Sequence, residues 1–228
     1  MAKLSRIFID ERLVEGAILS LGGAEAHYAR DVMRLRAGSR ILLFNGVDGE
    51  WMGEVTSVSK REFIISLSEQ TRVQAGEKLK PGELIFSPLR HAHQDFLIQK
   101  ATELGVTKLT PALMEHSSVR NFNPERARAI AREAAEQSER LSIPEISDLV
   151  PLASVLRDFA PGRKLVAFDR DGESVRELDA DALIVGPEGG LSERELGDLK
   201  SAGVKTVTLG DRILRAETAA IVGLVRNG

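Results

Sequence analysis

The sequence predicts an α/β protein: a C-terminal domain built on a mainly parallel sheet, preceded by a small N-terminal β-barrel or sandwich. Three observations carry that prediction. From Glu83 onward, short apolar runs alternate with amphipathic stretches, the pattern of a layered parallel sheet. After Gly38, three short strand-like stretches are separated by tight turns, as in a small barrel or sandwich. Near the C-terminus two apolar runs, ending at Val185 and Leu209, each lead into a glycine-bearing loop and then a helix. Taken as adjacent strands, they form a crevice at their carboxyl ends, where open α/β sheets bind ligands.

In chain order, Arg6–Ile9 reads as a strand. Leu13–Leu21 is ambiguous, and Gly22-Gly23 marks a turn. Glu25–Arg36 reads as a helix, with Tyr28, Val32 and Leu35 at core spacing and His27, Arg30 and Arg34 sharing another face. The barrel strands are Arg40–Phe44, Glu50–Val58 and Glu62–Leu67, with Asn45-Gly46 and Asp48-Gly49 as turns. Trp51, the only Trp, reads as a core residue. Residues 70–82 are polar and hold two glycines and a proline, which suggests an interdomain linker. The domains are then 1–72, a linker at 73–82, and 83–228.

In the second domain Leu84–Phe86 is a strand and Gln94–Leu104 a helix stopped by Gly105. Val106–Met114 is a strand interrupted by Pro111, and Pro124–Arg140 is a long helix with Pro124 in its first turn. Val155–Phe159 is a short helix, and Lys164–Phe168 and Asp181–Val185 are strands. Ser192 with Glu195 makes a capping box that starts a helix. Val204–Leu209 and Ala216–Leu224 close the chain as strand and helix.

Composition excludes several classes. There is no cysteine, so disulfides, thiolate metal sites and cysteine nucleophiles are out. No apolar run approaches membrane-helix length and the N-terminus lacks a signal-peptide core, so the expectation is a cytoplasmic protein with no membrane partner. His91 and His93 stand two apart with no third ligand placed, so no metal is expected. Net charge is −3, and residues 1–72 carry ten basic and ten acidic residues against 21 and 24 in the remainder. Any nucleic-acid contact must therefore come from local patches. The loop Gly-Pro-Glu-Gly-Gly at 186–190 matches neither a dinucleotide fingerprint nor a Walker motif. Its glycines suit positive φ and close backbone approach to a ligand. Glu188 would repel phosphate and favours a ligand with cationic or hydroxyl groups.

The two loops together, GPEGGLSERE and LGDRILRAETAA, resemble the signature of the SPOUT-type RNA methyltransferases. More narrowly, the chain is similar to the RsmE family, which methylates N3 of a uridine in 16S ribosomal RNA. IQKATELGV at 98–106, AAEQSER at 134–140 with Pro144 following, and HYARDVMRLR at 27–36 extend the resemblance over nearly the whole chain. It implies a trefoil-knotted C-terminal domain, a PUA-like barrel, S-adenosylmethionine as methyl donor, a homodimer, and the small ribosomal subunit as context.

The resemblance also implies a division of labour among residues. Val185, Gly186, Pro187, Glu188, Gly189 and Gly190 of the first loop would hold the cofactor, with Leu209, Gly210, Ile213 and Leu214 of the second. Arg215 would steady developing charge on the base or its phosphate. Glu217 would either accept a proton or orient Arg215, and the sequence leaves both roles open. His27, Arg30, Arg34, Arg90, His93, Arg120 and Gln137 would contact RNA. The family more often has lysines near Arg90 and His93, and Arg-Ser where this chain has His116-Ser117. The competing readings are a non-catalytic RNA-binding or ribosome-assembly protein with an α/β dimerisation domain, and an unrelated α/β enzyme acting on a small nucleotide. Binding of S-adenosylhomocysteine separates both from the first.

Overall fold

The structure, a computed structural model, describes residues 4–59, 62–77, 82–159 and 162–227. The chain divides into two compact units, Met1–Lys78 with Ala135–Ser142, and Leu79–Ala134 with Ile143–Gly228.

The N-terminal unit holds β1 (Ser5–Phe8), β2 (Ile18–Gly22), β3 (Arg40–Phe44), β4 (Glu50–Val58) and β5 (Glu62–Arg72) in the order β1-β3-β4-β5-β2. β1 runs parallel to β3, and the other pairs are antiparallel. Period-two alternation sends Ile41 and Leu43 of β3, and Phe63, Ile65 and Leu67 of β5, into one core with Leu13 and Leu21. Trp51 borders that core, and its indole N–H donates to the Asp48 carbonyl at 2.8 Å. β5 continues through Arg72 into the polar stretch read as a linker. Gln70 and Arg72 pair with Trp51 and Glu50, because backbone pairing at the solvated end of a strand needs no apolar pattern. Residues 78–81 of that stretch lie outside the described residues.

Arg6 explains why a C-terminal segment belongs to this unit. Its side chain is buried and stacks over the Phe44 ring at 4.3 Å. It donates to Glu50 Oε2 at 2.7 Å and to the carbonyls of Ala135, Glu136 and Arg140. The Glu136 carboxylate in turn accepts the Phe8 N–H at 3.0 Å. A buried guanidinium is tolerable only with its donors engaged, and here the engagement spans residues more than a hundred apart in sequence.

The predicted helix over 25–36 does not form as one piece. α1 covers Gly23–His27, a π-helical turn follows at Tyr28–Val32, and Arg34 has a φ of +57°. The wider turn breaks the 3.6-residue register on which face-sharing rests. Ala26, Ala29 and Leu35 therefore face the core, while Val32 is 60% exposed.

The C-terminal unit is an α/β layer. Its elements are β6 (Glu83–Phe86), α2 (His91–Glu103), β7 (Lys108–Leu113), α3 (Pro124–Ser138, whose last turn belongs to the other unit), β8 (Glu145–Ile146), β9 (Val150–Pro151), α4 (Leu152–Asp158), β10 (Leu165–Ser174), β11 (Ala182–Val185), α5 (Glu193–Ser201), β12 (Lys205–Thr208) and α6 (Ala216–Arg226). The sheet order is β12-β10-β11-β6-β7-β8, with β9 also against β7, and every pair is parallel. Pro111 sits in β7 where β8 pairing has ended and β9 pairing has not begun, so its missing N–H interrupts neither. The sheet separates two cores. Leu84, Phe86, Leu183 and Val185 pack with α2, α3 and α6, while Ile85, Ala182 and Ile184 pack with α4 and α5. Strands covered on both faces read as near-continuous apolar runs, as Leu84–Phe86 of β6 and all of β11 do.

Candidate active site

The strands that end in the two glycine loops are not neighbours. β10 lies between β11 and β12, so consecutive position in sequence does not give adjacency here. The crevice is built by three strand ends rather than two. It is a cavity of about 340 Å³ lined by 185–190 after β11, by 207–214 after β12, and by Phe168, Asp169 and Arg170 on β10. Ala216 and Ala219 of α6 complete it. All ten residues assigned to a cofactor from sequence line this one cavity. Phe168–Arg170 escaped the sequence reading because the strand was ended at Phe168 and the polar residues after it were given no role, although β10 runs on to Ser174. The signal was the apolar run Lys164–Phe168 itself, which follows the short predicted helix Val155–Phe159.

The first loop is a turn closed by the Gly190 N–H donating to the Pro187 carbonyl at 2.9 Å. Gly190 has a φ of +74°, which a side chain rarely tolerates. Gly189 needs its hydrogen for a different reason: a Cβ there would lie 3.1 Å from His116 Cβ. Of the three glycines that permit positive φ, Gly190 adopts it and Gly186 and Gly189 do not. His116 also lies over the loop with Nδ1 3.2 Å from the Gly190 carbonyl, a contact in which Nδ1–H is the donor. Behind the loop the capping box forms as predicted, with Ser192 Oγ accepting the Glu195 N–H and Glu195 accepting the Ser192 N–H at 2.9 Å. The other Glu195 oxygen accepts the Glu115 N–H at 2.8 Å, so one carboxylate ties the loop to the end of β7.

The second loop carries Gly210 at a φ of +133° and leaves Ile213 78% exposed at the pocket mouth. Arg215 follows as the N-cap residue of α6, with an exposed side chain. Glu217, 9% exposed, does not pair with Arg215. Its carboxylate meets Nδ1 of His93 at 2.9 Å, a contact between the first turns of α6 and α2. Arg90 at the N-cap of α2 and Arg120 beyond β7 are exposed. Because the strands are parallel, Arg90, His93, Arg120 and both glycine loops all follow carboxyl ends of strands on one edge of the sheet.

In the N-terminal unit the basic triad is dispersed. His27 Nδ1 and the Arg30 guanidinium both reach Asp31, at 2.6 Å and 3.0 Å. Arg30 and then His27 hold the Asp31 carboxyl below the usual carboxylate range. Arg34 lies beyond the π-turn and is exposed. The shared face of His27, Arg30 and Arg34 is therefore not present. Gln137 is exposed and belongs to this same unit.

Residues 77–226 match the RNA methyltransferase domain family, and residues 21–68 match the RNA methyltransferase PUA domain family. Fold and pocket thus define an RNA methyltransferase of the SPOUT type. Ribosomal RNA small subunit methyltransferase E of Rickettsia conorii is 31% identical over 98% of this chain and 95% of its own, and that of Bacillus subtilis is 31% identical over 97% and 94%. Among solved structures, a Legionella pneumophila methyltransferase with bound SAM is similar with a TM-score of 0.89 and 27% identity, covering 98% of this chain and 96% of the other. The Neisseria gonorrhoeae ribosomal RNA small subunit methyltransferase E bound to S-adenosyl methionine gives 0.86 and 26%, over 98% and 96%. This chain belongs to the ribosomal RNA small subunit methyltransferase E family.

Proposed function

We propose that this enzyme methylates N3 of a uridine in 16S ribosomal RNA, acting in the cytoplasm as a homodimer with S-adenosylmethionine as donor. The observation that carries the proposal is the single three-stranded pocket that gathers every sequence-assigned cofactor residue in a chain of this family.

The pocket's residues fit that donor. Its volume lies in the range of small-molecule sites. Val185, Val207, Leu214 and Phe168 offer apolar wall to a purine, and the glycine loops offer backbone donors and acceptors. Glu188, Asp169 and Asp211 place carboxylates where a cation would sit, and Arg170 and Arg212 can meet a carboxylate. Once bound, the donor supplies an electrophilic methyl on a sulfonium. The chain's own work is to hold that methyl and the acceptor nitrogen in line, which can supply a large share of the acceleration. Arg215 is open and can stabilise negative charge on the uracil as its proton leaves. Arg90 and Arg120, on the same sheet edge, are the phosphate contacts that set register. Arg34 serves the RNA from the N-terminal unit.

For the dimer, the apolar residues Ile213, Leu214, Ala219, Ala220 and Leu224 near the pocket are the sequence's candidates, and most of them are used within the chain. Ala219 and Ala220 are core, and Leu214 and Leu224 pack against it. Ile213 and Val225, 78% and 60% exposed, are apolar side chains that a second copy can cover.

Three measurements test the proposal. Calorimetry should find one S-adenosylhomocysteine site per chain. Nucleoside mass spectrometry of unmodified small-subunit RNA treated with enzyme should show N3-methyluridine. Light scattering at micromolar concentration should give twice the chain mass. No cofactor site refutes the enzyme, a different methylated nucleoside refutes the target atom, and a monomer mass refutes the assembly.

A further inference from the structure

We propose that His93 and Glu217 form a proton-accepting dyad in which Nε2 of His93 takes the N3 proton of the target uridine. This rests on the uridine-N3 reading above.

Glu217 is a nearly buried carboxylate whose oxygen lies 2.9 Å from His93 Nδ1. An ionised carboxylate only accepts, so the imidazole donates from Nδ1 and, when neutral, keeps its lone pair on Nε2. The His93 side chain is 42% exposed against 11% for Glu217, so the free edge of the ring is the accessible one. Placement supports the role. Ala216, next to Glu217, lines the cofactor pocket, and His93 follows β6, the strand beside β11. The pair therefore stands at the sheet edge where the methyl must be delivered.

The chemistry needs such a group. N3 of uracil carries a proton, and its lone pair becomes available for attack only as that proton departs. In the step, the N3–H bond breaks and the proton passes to His93 Nε2. The electron pair left on N3 bonds the methyl carbon, and the carbon–sulfur pair stays on sulfur. The imidazolium so formed is balanced by Glu217, which acts through His93 and is a positioning residue. A neutral imidazole with its lone pair free on Nε2 is a group that can act as a general base. The other charged groups on these elements are Arg90 and His91 at the start of α2, Arg215 at the start of α6, Asp95, held by Arg126 of α3, and Lys100, paired with Glu103. Arg226 ends α6, where it donates to the Val175 carbonyl.

The test begins without cofactor. In ¹⁵N-histidine spectra of the apo enzyme, His93 should be the Nδ1–H tautomer, and Glu217→Gln should mix the tautomers. A His93 that is Nε2–H in wild type overturns the dyad. In turnover, His93→Gln should lower kcat by about 10²–10⁴-fold and abolish the acid limb of the pH profile, with KM for RNA nearly unchanged. Bound S-adenosylhomocysteine and the circular dichroism spectrum should stay as in wild type. RNA carrying 5-fluorouridine at the target, whose N3–H is more acidic, should recover a large part of the loss. A raised KM with unchanged kcat makes His93 a phosphate contact and overturns the proposal. If the wild-type product carries its methyl elsewhere than N3, the uridine-N3 reading fails and takes the fluorouridine arm with it. The tautomer and the acid limb then still decide whether His93 is a base.

Discussion

Two stretches of the chain were marked for binding by their sequence, and they fare differently in three dimensions. The glycine loops at 186–190 and 209–214 close on one cavity. The basic segment at 27–34 breaks at a π-turn, and two of its three basic side chains turn to Asp31. The difference lies in what positions each side chain. A loop at the end of a parallel strand inherits its place from the whole sheet, so every such loop arrives at one edge. A helical face exists only while the 3.6-residue register lasts, and one wide turn disperses it.

The sharpest way to break this contrast is at Gly189. A Gly189→Val side chain must enter space His116 already occupies, since even a Cβ would stand 3.1 Å from it. Overpacking of this kind costs about 1–3 kcal/mol. Affinity for S-adenosylhomocysteine should fall roughly 10–100-fold while the circular dichroism spectrum holds. Arg30→Ala, in the other region, should leave that affinity unchanged. Equal loss in both variants would mean the two regions are not independent.

A second comparison sets two carboxylates side by side. Glu195 accepts N–H groups from Ser192 and from Glu115, 80 residues away, and so holds the first loop to β7. Ser192→Ala removes one cap bond and should lower stability by about 0.5–2 kcal/mol. Glu195→Ala should exceed it, because the Glu115 N–H loses its partner too. For a chain of this size, each kcal/mol is a melting shift of about 2–4 °C. A smaller effect from Glu195→Ala than from Ser192→Ala would mean that the link to β7 does not stabilise the loop.

Asp48 is the N-terminal counterpart. Its carboxyl is held below the usual carboxylate range, first by the Leu13 N–H and then by the Asn45 amide. A depressed folded-state value means stability that is present above the unfolded value of about 3.9 and lost as pH falls through the folded value. Wild type should therefore exceed Asp48→Asn by something on the order of 1 kcal/mol at pH 7, a figure already reduced for partial solvent screening. The gap should close below about pH 4, read from urea midpoints. A gap constant from pH 7 to pH 3 would assign the effect to shape rather than charge.

How much was legible beforehand follows the same division. The capping box at Ser192 and the strand ending at Val185 were readable because each depends on a local pattern that the sheet preserves, and the ten pocket residues were readable only through the family resemblance that the two loops carry. β10 between the two loop strands was not, since strand order is a non-local choice that leaves no mark in either strand. The strand character of Gln70–Arg72 was hidden for a related reason: its backbone is paired but its side chains are solvated. The His93–Glu217 pair joins residues 124 apart. Each was singled out, but only folding shows that Glu217 answers His93 and not Arg215.

The smallest expected effect decides what remains of the basic segment. Arg30 is held by Asp31, and that bond draws on the charge a phosphate would need. Arg34 has passed the π-turn with its side chain exposed at a φ of +57°. If the N-terminal unit grips RNA through charge, Arg34→Ala should weaken binding and lower the slope of log K against log salt by about 0.7–0.9, the value of one phosphate contact. Arg30→Ala should change the slope by much less, because removing it also frees an Asp31 carboxylate beside the same surface. Both variants must keep wild-type affinity for S-adenosylhomocysteine, whose pocket lies wholly in the C-terminal unit. Salt titrations of a short small-subunit RNA with wild type and each variant make the measurement. A drop of one unit from Arg30→Ala and none from Arg34→Ala would mean that the Asp31 pairing opens on contact with RNA. The basic face lost at the π-turn would then be restored by the ligand.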